Sequence, residues 1–316
     1  MHGIPADDGD RIIDWGKTSG DYSIYRPGPP SSFYARLAAL GVGLPQQRIL
    51  DLGTGTGVIA RQFARQGAHV IGIDISEEQL TAARELAADE SRTPATEPAR
   101  QPPAPPGVSE LFNSLLHQTR AASTTSSPPY QVEDPPWRKG ARAGSLEFLL
   151  APAECLPWQG PEFDIAIAHQ SWLYFDKVKT IRELRRVLKP GGWLVNSHFC
   201  WLPRVDEVAR ASEVLVLEFN PEWSAADWSG RIPPCPEWAE KIFDLRAMFY
   251  YDEPIPFTHE TWRGRIRACR GIGASLTPEE VAAFDAAHTE LLKQIAPDPF
   301  TVLHRIDAHV FQFKDG

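Results

Sequence analysis

The chain has 316 residues, 42% of them hydrophobic, which is enough for one large domain or two modest ones around a sizeable core. Its formal net charge of -9 disfavours a general nucleic-acid binder, which needs clustered Lys and Arg against phosphates, and favours a small-molecule partner. Because no apolar run approaches the roughly 18 residues that span a bilayer and the four cysteines form no Cys-x-x-Cys pair, we expect a cytoplasmic protein with no membrane partner, no disulfide framework and no metal site.

The first part of the chain predicts alternating strands and helices. Short apolar runs at 48–52 and 69–73 indicate strands, and amphipathic segments at 58–65 and 77–88 indicate helices. Strands that alternate with helices in this way form a parallel sheet with helices on both faces. We therefore expect residues 1–89 to contain an N-terminal cap and the first half of an α/β domain.

Residues 90–143 differ sharply from the rest in composition. Prolines recur there among Ser, Thr, Ala and Arg, and such a stretch cannot bury enough apolar surface to offset its ordering entropy. We interpret it as a disordered insertion. Its segment 109–120 carries three leucines and a phenylalanine, and it could form a short helix that binds a protein partner or remain a transient helix in a loop.

Residues 144–199 predict the second half of the sheet. Strands are expected there at 145–150, 163–168 and 192–198, and a helix is expected at 177–188. The Lys-Pro-Gly-Gly run that starts at Lys189 predicts the end of that helix and a turn into the next strand, because Pro cannot continue a helix and Gly permits positive φ.

Residues 200–316 predict an aromatic lid and the last strands of the sheet. Aromatic residues and helices fill 200–240, and Thr277 opens a predicted helix with a capping box. The expected elements after the lid are a strand at 243–251, helices at 262–269 and 278–295, and a strand at 301–313. The predicted fold class is α/β: a Rossmann-like, seven-stranded, mostly parallel sheet whose last strand inserts antiparallel.

A glycine-rich loop follows the first predicted strand. The sequence there is Asp51-Leu-Gly-Thr-Gly-Thr-Gly, and it runs into a helix at the edge of the sheet where open α/β sheets bind ligands. Asp74 ends the second strand, where a carboxylate can accept hydrogen bonds from ribose hydroxyls. Nicotinamide enzymes use Gly-x-Gly-x-x-Gly, but Val58 stands at the third glycine position, so a dinucleotide is disfavoured.

Several motifs in order resemble one family. The motifs are Asp51 to Gly57, Ile73 to Ser76, Ala151 to Pro157, Phe163-Asp164 and Val187 to Gly192. Together they resemble the class I S-adenosylmethionine (SAM)-dependent methyltransferases, in particular the small-molecule branch often labelled methyltransferase type 11. The resemblance covers roughly residues 20–200, with an interruption at the insertion.

The resemblance implies SAM as the cofactor and identifies the residues that contact it. Gly53 and Gly55 would line the cofactor, and Asp74 would hold its ribose. Asp51 would support the loop and reach the methionine amino group through water. The full set of implied contacts is Tyr25, Arg26, Asp51, Gly53, Thr54, Gly55, Gly57, Asp74, Ile75, Ala153, Glu154, Ala168 and His169. The chain departs from the family at Pro152, where members commonly carry an Asp that receives the adenine amino group, so that contact would pass to Glu154 or to backbone.

The stretch after the fourth strand is expected to face the methyl acceptor. The residues expected to contact a small-molecule acceptor are Gln170, Trp172, Tyr174 and Trp201. A hydroxyl or ammonium acceptor also requires a base, and His169 and His198 are the candidates because both lie near strand ends that face the site. For each of them, a purely structural role, in which the side chain packs in the protein and makes one hydrogen bond, explains the sequence at least as well.

Two further groups carry alternative interpretations. Tryptophans of the second half could stack on a planar or cationic acceptor, or could form a satellite core under the lid. Arg263, Arg265 and Arg270 could form an anion site, although such arginines are more often surface ion pairs.

Two other functions compete with methyl transfer. The first is another adenosyl-dependent transfer, such as aminopropyl transfer, which usually needs an acidic pair to hold a polyamine. No convincing pair follows the fourth strand. The second is a methyltransferase-like binding module that has lost turnover, which Pro152 and the proline-rich insertion favour.

Overall fold

In the computed structural model, the described residues of the chain build one sheet of seven strands. The structure describes residues 8, 13, 14, 17, 19–25, 27–92 and 144–314. The strands are β1 (Arg48–Leu52), β2 (His69–Asp74), β3 (Ser145–Leu150), β4 (Phe163–His169), β5 (Leu188–Trp201), β6 (Phe243–Phe257) and β7 (Phe300–Phe313). They follow the order β3-β2-β1-β4-β5-β7-β6, and β7 is antiparallel to both of its neighbours while β1 to β5 are parallel. The predicted Rossmann-like sheet is confirmed.

Helices connect these strands and cover the sheet. They are α1 (Ser19–Tyr25), α2 (Ser31–Ala39), α3 (Val58–Arg65), α4 (Glu77–Arg92), α5 (Lys177–Val187), α6 (Glu207–Phe219), α7 (Glu237–Glu240), α8 (His259–Arg267) and α9 (Pro278–Ile295). In the described part of the chain, none of them combines the length and the apolar composition that a membrane crossing needs.

Two hydrophobic cores lie on opposite faces of the sheet. Adjacent residues of one strand belong to different cores, as Ile49 and Leu50 of β1 show, because side chains alternate between the faces of a strand. The core around Ile49 receives side chains from α2, α3, α6, α8 and α9, whereas the core around Leu50 receives them from α5. Helices therefore cover both faces, as predicted.

The capping signal at the start of α9 is confirmed. The Thr277 hydroxyl accepts a hydrogen bond from the backbone N–H of Glu280 at 3.3 Å, and the Glu280 carboxylate accepts one from the backbone N–H of Thr277 at 2.9 Å. Two backbone donors that the first helical turn leaves without partners are thus satisfied.

Helix α4 extends further along the chain than predicted. The prediction ended the helix at residue 88, but α4 continues to Arg92, and Glu90 pairs with Arg61 and Arg65 of α3. These ion pairs hold the last turn of α4 against α3. The rest of the predicted disordered insertion, and with it the proposed helix at 109–120, lies outside the described residues. The division into segments 1–89, 90–143, 144–199 and 200–316 stays a prediction.

The predicted helix end and the positive φ after α5 are found, but the Lys-Pro-Gly-Gly run forms a bulge within β5 instead of a turn before it. Strand pairing already begins at Leu188, which lies opposite Phe163, and Trp193 is the next β5 residue in register, opposite Ile165. The residues between them form a bulge in which Gly191 has a φ of 80°. Proline lacks the N–H that a regular ladder needs and glycine accepts positive φ, so the run interrupts the strand without ending it.

Candidate active site

A cleft of about 590 Å³ lies at the carboxyl ends of the central parallel strands. Open α/β sheets bind ligands at this edge, and the volume is typical of small-molecule sites. We call its first side the loop half, which is formed by Gly53, Gly55, Asp74, Ile75, Ala153 and Glu154. We call the other side the tryptophan half, which is formed by Trp201, Glu213, Trp223, Trp228, Arg265 and Arg270.

The glycine loop needs glycine at the positions where the chain turns. Gly53 has a φ of 63°, and a Cβ at this position would lie 2.7 Å from the Cβ of Ser171. Gly55 has a φ of 55° and lines the cleft. Gly57 has a φ of 75°, but a Cβ there would strike the ring of Phe148 instead of entering the cleft. The structure thus gives Gly57 a packing role against Phe148, and the cofactor contact at this residue stays a prediction.

Asp74 holds the loop and still faces the cleft. Its Oδ2 accepts a hydrogen bond from the backbone N–H of Gly55 at 2.9 Å, and its Oδ1 accepts one from Ser76 at 3.0 Å. Each carboxylate oxygen has two lone pairs, so both can accept a further hydrogen bond. The predicted position of Asp74 beside the glycine loop is thus found in the structure.

Asp51 is buried behind the loop. Its Oδ2 accepts a hydrogen bond from the Thr54 hydroxyl at 2.6 Å. Burial raises the pKa of Asp51 to about 7, the Thr54 hydrogen bond opposes this rise, and the charge of Asp74 adds to it. Asp51 and Thr54 line a small cavity of about 30 Å³ that His169 also lines. Asp51 therefore lines a cavity behind the glycine loop, and its carboxyl group changes its charge as the pH passes through about 7.

The far side of the loop half is apolar. Ile75 directly follows Asp74, lines the cleft and is 76% exposed, which is unusual for a large aliphatic side chain. Ala153 and Glu154 also line it, and Glu154 Oε1 accepts a hydrogen bond from the backbone N–H of Asp176 at 2.8 Å. Pro152 is exposed and is not part of the cleft wall.

The two candidate histidines differ in position. His169 ends β4 and lines the cleft, with its Nδ1 3.0 Å from the Ser197 hydroxyl. His198 is 1% exposed and does not line the cleft, and its Nδ1 is 3.0 Å from Asp307 Oδ1. The prediction that His198 faces the site was wrong, because β5 continues to Trp201 and leaves His198 inside the sheet.

Of the four residues predicted to contact the acceptor, three line the cleft and one does not. Gln170, Tyr174 and Trp201 line the cleft, and Gln170 has a left-handed φ of 60°, a strained conformation that often marks functional sites. Trp172 instead is buried, with its ring centroid 4.6 Å from that of Trp238. Trp172 therefore belongs to the core around Leu50.

Among the described residues, two other predicted cofactor contacts, Ala168 and Tyr25, are not part of the cleft wall. Ala168 is fully buried within β4. Tyr25 packs over Gly264 of α8 and donates a hydrogen bond to Glu260 at 3.2 Å. Arg26 lies outside the described residues.

The most important residue that the sequence interpretation missed is Glu213. It lies on the buried face of α6 and lines the tryptophan half. For Arg265 and Arg270 the sequence left an anion site and surface ion pairs open, and the structure shows that each is only 4% exposed and lines the same half. A glutamate on the apolar face of an amphipathic helix was the signal available in the sequence.

Comparisons with known proteins agree with this geometry. A sequence model described as a methyltransferase domain matches residues 22–231. A ubiquinone biosynthesis O-methyltransferase of Hahella chejuensis is 51% identical over 41 residues, which cover 13% of this chain and 17% of that protein. An uncharacterized methyltransferase of Mycobacterium bovis is 25% identical over 186 residues, which cover 58% of this chain and 51% of that protein.

One solved structure matches most of the length of this chain. It is a SAM-dependent methyltransferase from Thiobacillus denitrificans in complex with S-adenosyl-L-homocysteine, with a TM-score of 0.45 and 17% identity, and the match covers 95% of this chain and 98% of that one. The matched part of the chain covers 17% of the length of the first of these curated relatives and 51% of the length of the second. Because the methyltransferase-domain model matches well over half of the chain, the chain belongs to the methyltransferase-domain family, and the resemblance to class I methyltransferases is confirmed.

Proposed function

We propose that the protein is a SAM-dependent methyltransferase that transfers a methyl group to an O, N or C atom of a small-molecule acceptor. The observation that carries this proposal is the single cleft that joins the glycine loop and Asp74 to an aromatic chamber at the carboxyl edge of the sheet. When bound, SAM supplies a methyl group on a positively charged sulfur. The curated relatives include O-methyltransferases, although they match over a short stretch only.

The residues of the loop half fit this cofactor. Gly53 and Gly55 have no side chain that would keep a nucleoside from the backbone. The carboxylate of Asp74 keeps lone pairs for the two ribose hydroxyls after it has accepted its two backbone hydrogen bonds. The exposed side chain of Ile75 offers an apolar surface for one face of adenine. Asp51, behind the loop, is our candidate to reach the methionine amino group through water.

The acceptor then enters from the tryptophan half. Methyl transfer is an in-line displacement, so the protein mainly positions a nucleophile and excludes water. Gln170, Tyr174 and Trp201 are our candidates for acceptor contacts, and His169, which also lines the cleft, is one candidate for the base.

Binding of S-adenosylhomocysteine tests this proposal directly. Isothermal titration calorimetry on the purified full chain should give a dissociation constant in the micromolar range with one site per chain. A protein that is folded by circular dichroism and gives no binding heat at any accessible concentration would contradict the proposed cofactor.

The Ile75→Ser variant tests the apolar wall of the loop half. We expect its affinity for S-adenosylhomocysteine to fall about tenfold, because covering most of an isoleucine side chain contributes about 1–2 kcal/mol. Its melting temperature should stay unchanged, since Ile75 is exposed. Val178→Ser is the matched control because Val178 is 81% exposed on α5 and is not part of the cleft wall. An unchanged affinity in Ile75→Ser would show that adenine lies elsewhere.

A further inference from the structure

The tryptophan half contains a carboxylate held from two sides. Glu213 of α6 is 5% exposed. Its Oε1 accepts a hydrogen bond from Nε1 of Trp201 at 2.6 Å, and its Oε2 accepts one from the backbone N–H of Asp227 at 2.7 Å. One donor comes from β5 and the other from the loop after α6, so the carboxylate has a defined position and orientation at the cleft wall.

Flat aromatic side chains line the same half of the cleft as this carboxylate. Trp201, Trp223 and Trp228 line the same half, and the guanidinium carbon of Arg265 lies 4.7 Å from the centroid of the Trp201 ring. Aromatic walls favour a flat ring that stacks or packs edge to face. Carboxylates are rarely this buried, and one that lines a ligand cleft is a candidate for a role in chemistry.

We infer that Glu213 binds the O–H or N–H group of the methyl acceptor and takes its proton, so that the acceptor is a flat ring bearing a hydroxyl or an amino group. This inference rests on the proposed function, since it concerns the acceptor of the same cleft. It adds a catalytic residue that is separate from His169.

The step balances in atoms and charge. Glu213 receives the proton as the acceptor's O–H or N–H bond breaks, and the electron pair of that bond becomes available on oxygen or nitrogen. That atom forms the new bond to the methyl carbon. The carbon–sulfur bond breaks with its electron pair on sulfur, and a neutral thioether leaves. Glu213 ends the step protonated and returns its proton to solvent when the product leaves.

The electrostatic surroundings suit a base at neutral pH. Burial raises the pKa of Glu213 to about 7, the N–H donors of Asp227 and Trp201 oppose this rise, and the charge of Asp227 adds to it. A base is most effective when its pKa is near the working pH. Glu213 therefore changes charge within the range in which it would be needed.

Among the described residues, several other ionisable groups lie in or beside this half. They are Asp227, its ion-pair partner Arg204, Cys200 on β5, His304 beside Trp201, Arg265, Cys269, Arg270 and the Asp8 carboxylate that pairs with Arg270. Burial lowers the pKa of His304 to about 3 and raises the pKa of Cys269 to about 11. Asp227 and Asp8 each lie within 3.1 Å of an arginine.

His169 is placed differently from Glu213. It also lines the small cavity behind the glycine loop, together with Asp51 and Thr54. Its Nδ1 is already 3.0 Å from the Ser197 hydroxyl. Glu213 thus belongs to the chamber on the acceptor side, and His169 to the loop side.

Phenol and anisole are the probes for this inference, because they share a ring and differ in the O–H group. With S-adenosylhomocysteine at saturation, we expect the full chain to bind phenol about tenfold more tightly than anisole at pH 8, since a hydrogen bond to an ionised acceptor is worth that much. The phenol preference should shrink as the pH falls through about 7 and Glu213 takes up a proton. Calorimetric titrations with each probe at several pH values measure the ratio of the two affinities.

Glu213→Gln should bring the two affinities within about twofold of each other and remove the pH dependence. Glu218→Gln is the matched control, because Glu218 is exposed on the same helix, and it should behave as the wild type. Equal binding of phenol and anisole to the wild type, no binding of either probe, or a phenol preference that survives in Glu213→Gln would each overturn the inference.

Trp201→Phe is a second variant that tests the same inference if Glu213→Gln does not fold. It removes the N–H that lowers the pKa of Glu213, so the pH at which the phenol preference appears should move upward. A midpoint that stays in place would count against Glu213. Binding of S-adenosylhomocysteine without phenol is measured separately: its absence contradicts the proposed function, whereas its presence with a failed phenol test contradicts the inference alone.

Discussion

Asp74→Ala is expected to lower the affinity for S-adenosylhomocysteine about 100-fold or more. The alanine variant loses the carboxylate that would accept both ribose hydroxyls, and each hydrogen bond to a charged acceptor contributes about 1.5–3 kcal/mol. It also leaves the backbone N–H groups of Gly55 and Ser76 without the acceptors that hold the loop in shape. Isothermal titration calorimetry with wild type and variant gives the ratio.

Two further variants separate these causes. Asp74→Asn keeps the side-chain shape and one oxygen acceptor, so its affinity should lie between that of the wild type and that of the alanine variant. Asp244→Ala is the control for a lost carboxylate, since Asp244 is exposed on β6 and lies outside the cleft wall. An Asp74→Ala protein that binds as the wild type does would show that the ribose is held elsewhere.

Trp262→Ala is expected to lower the free energy of unfolding by about 3–5 kcal/mol. Trp262 of α8 is fully buried, and its Nε1 donates a hydrogen bond to the Ser212 hydroxyl at 2.9 Å. Its ring lies 5.5 Å from that of Trp201 and 4.9 Å from that of Phe257, measured between centroids. Truncation therefore leaves a large cavity beside the tryptophan half, and urea denaturation followed by circular dichroism measures the loss.

The Trp262→Phe variant is the comparison for the loss of stability in Trp262→Ala. It refills most of the cavity and loses only the indole N–H and part of the ring, so it should cost clearly less than the alanine variant. The folded fraction of Trp262→Ala should still bind S-adenosylhomocysteine, because the residues of the loop half lie on or directly after β1, β2 and β3 and none of them belongs to α8. A loss below about 1 kcal/mol would contradict the close packing seen around Trp262.

The local signals of the sequence were reliable because each of them acts within a few residues. The glycine loop needs positive φ at Gly53 and Gly55 whatever surrounds it, and the capping box at Thr277 satisfies backbone donors of its own helix. The alternation of strands and helices likewise predicted a parallel sheet, and the carboxyl edge of such a sheet places Asp74 beside the loop. These features follow from backbone geometry and from the period of the apolar pattern.

The errors came from contacts between distant parts of the chain. His198 was expected at a strand end, but pairing with β7 continues β5 to Trp201 and buries the histidine against Asp307. Trp172 follows β4 as the predicted contacts Gln170 and Tyr174 do, yet its ring packs on Trp238, which is 66 residues further along the chain. No local pattern reveals which face of the sheet a later segment will cover.

The sequence by itself thus determined the sheet, the glycine loop and the position of Asp74, since these depend on short-range backbone requirements. Only the tertiary structure decided the tryptophan half of the cleft. Glu213, Trp201 and Arg265 lie on α6, β5 and α8, and they meet because the two long strands β6 and β7 complete the sheet and bring the last helices onto it. Burial then changes the chemistry of these groups, and it raises the pKa of Glu213 into the neutral range.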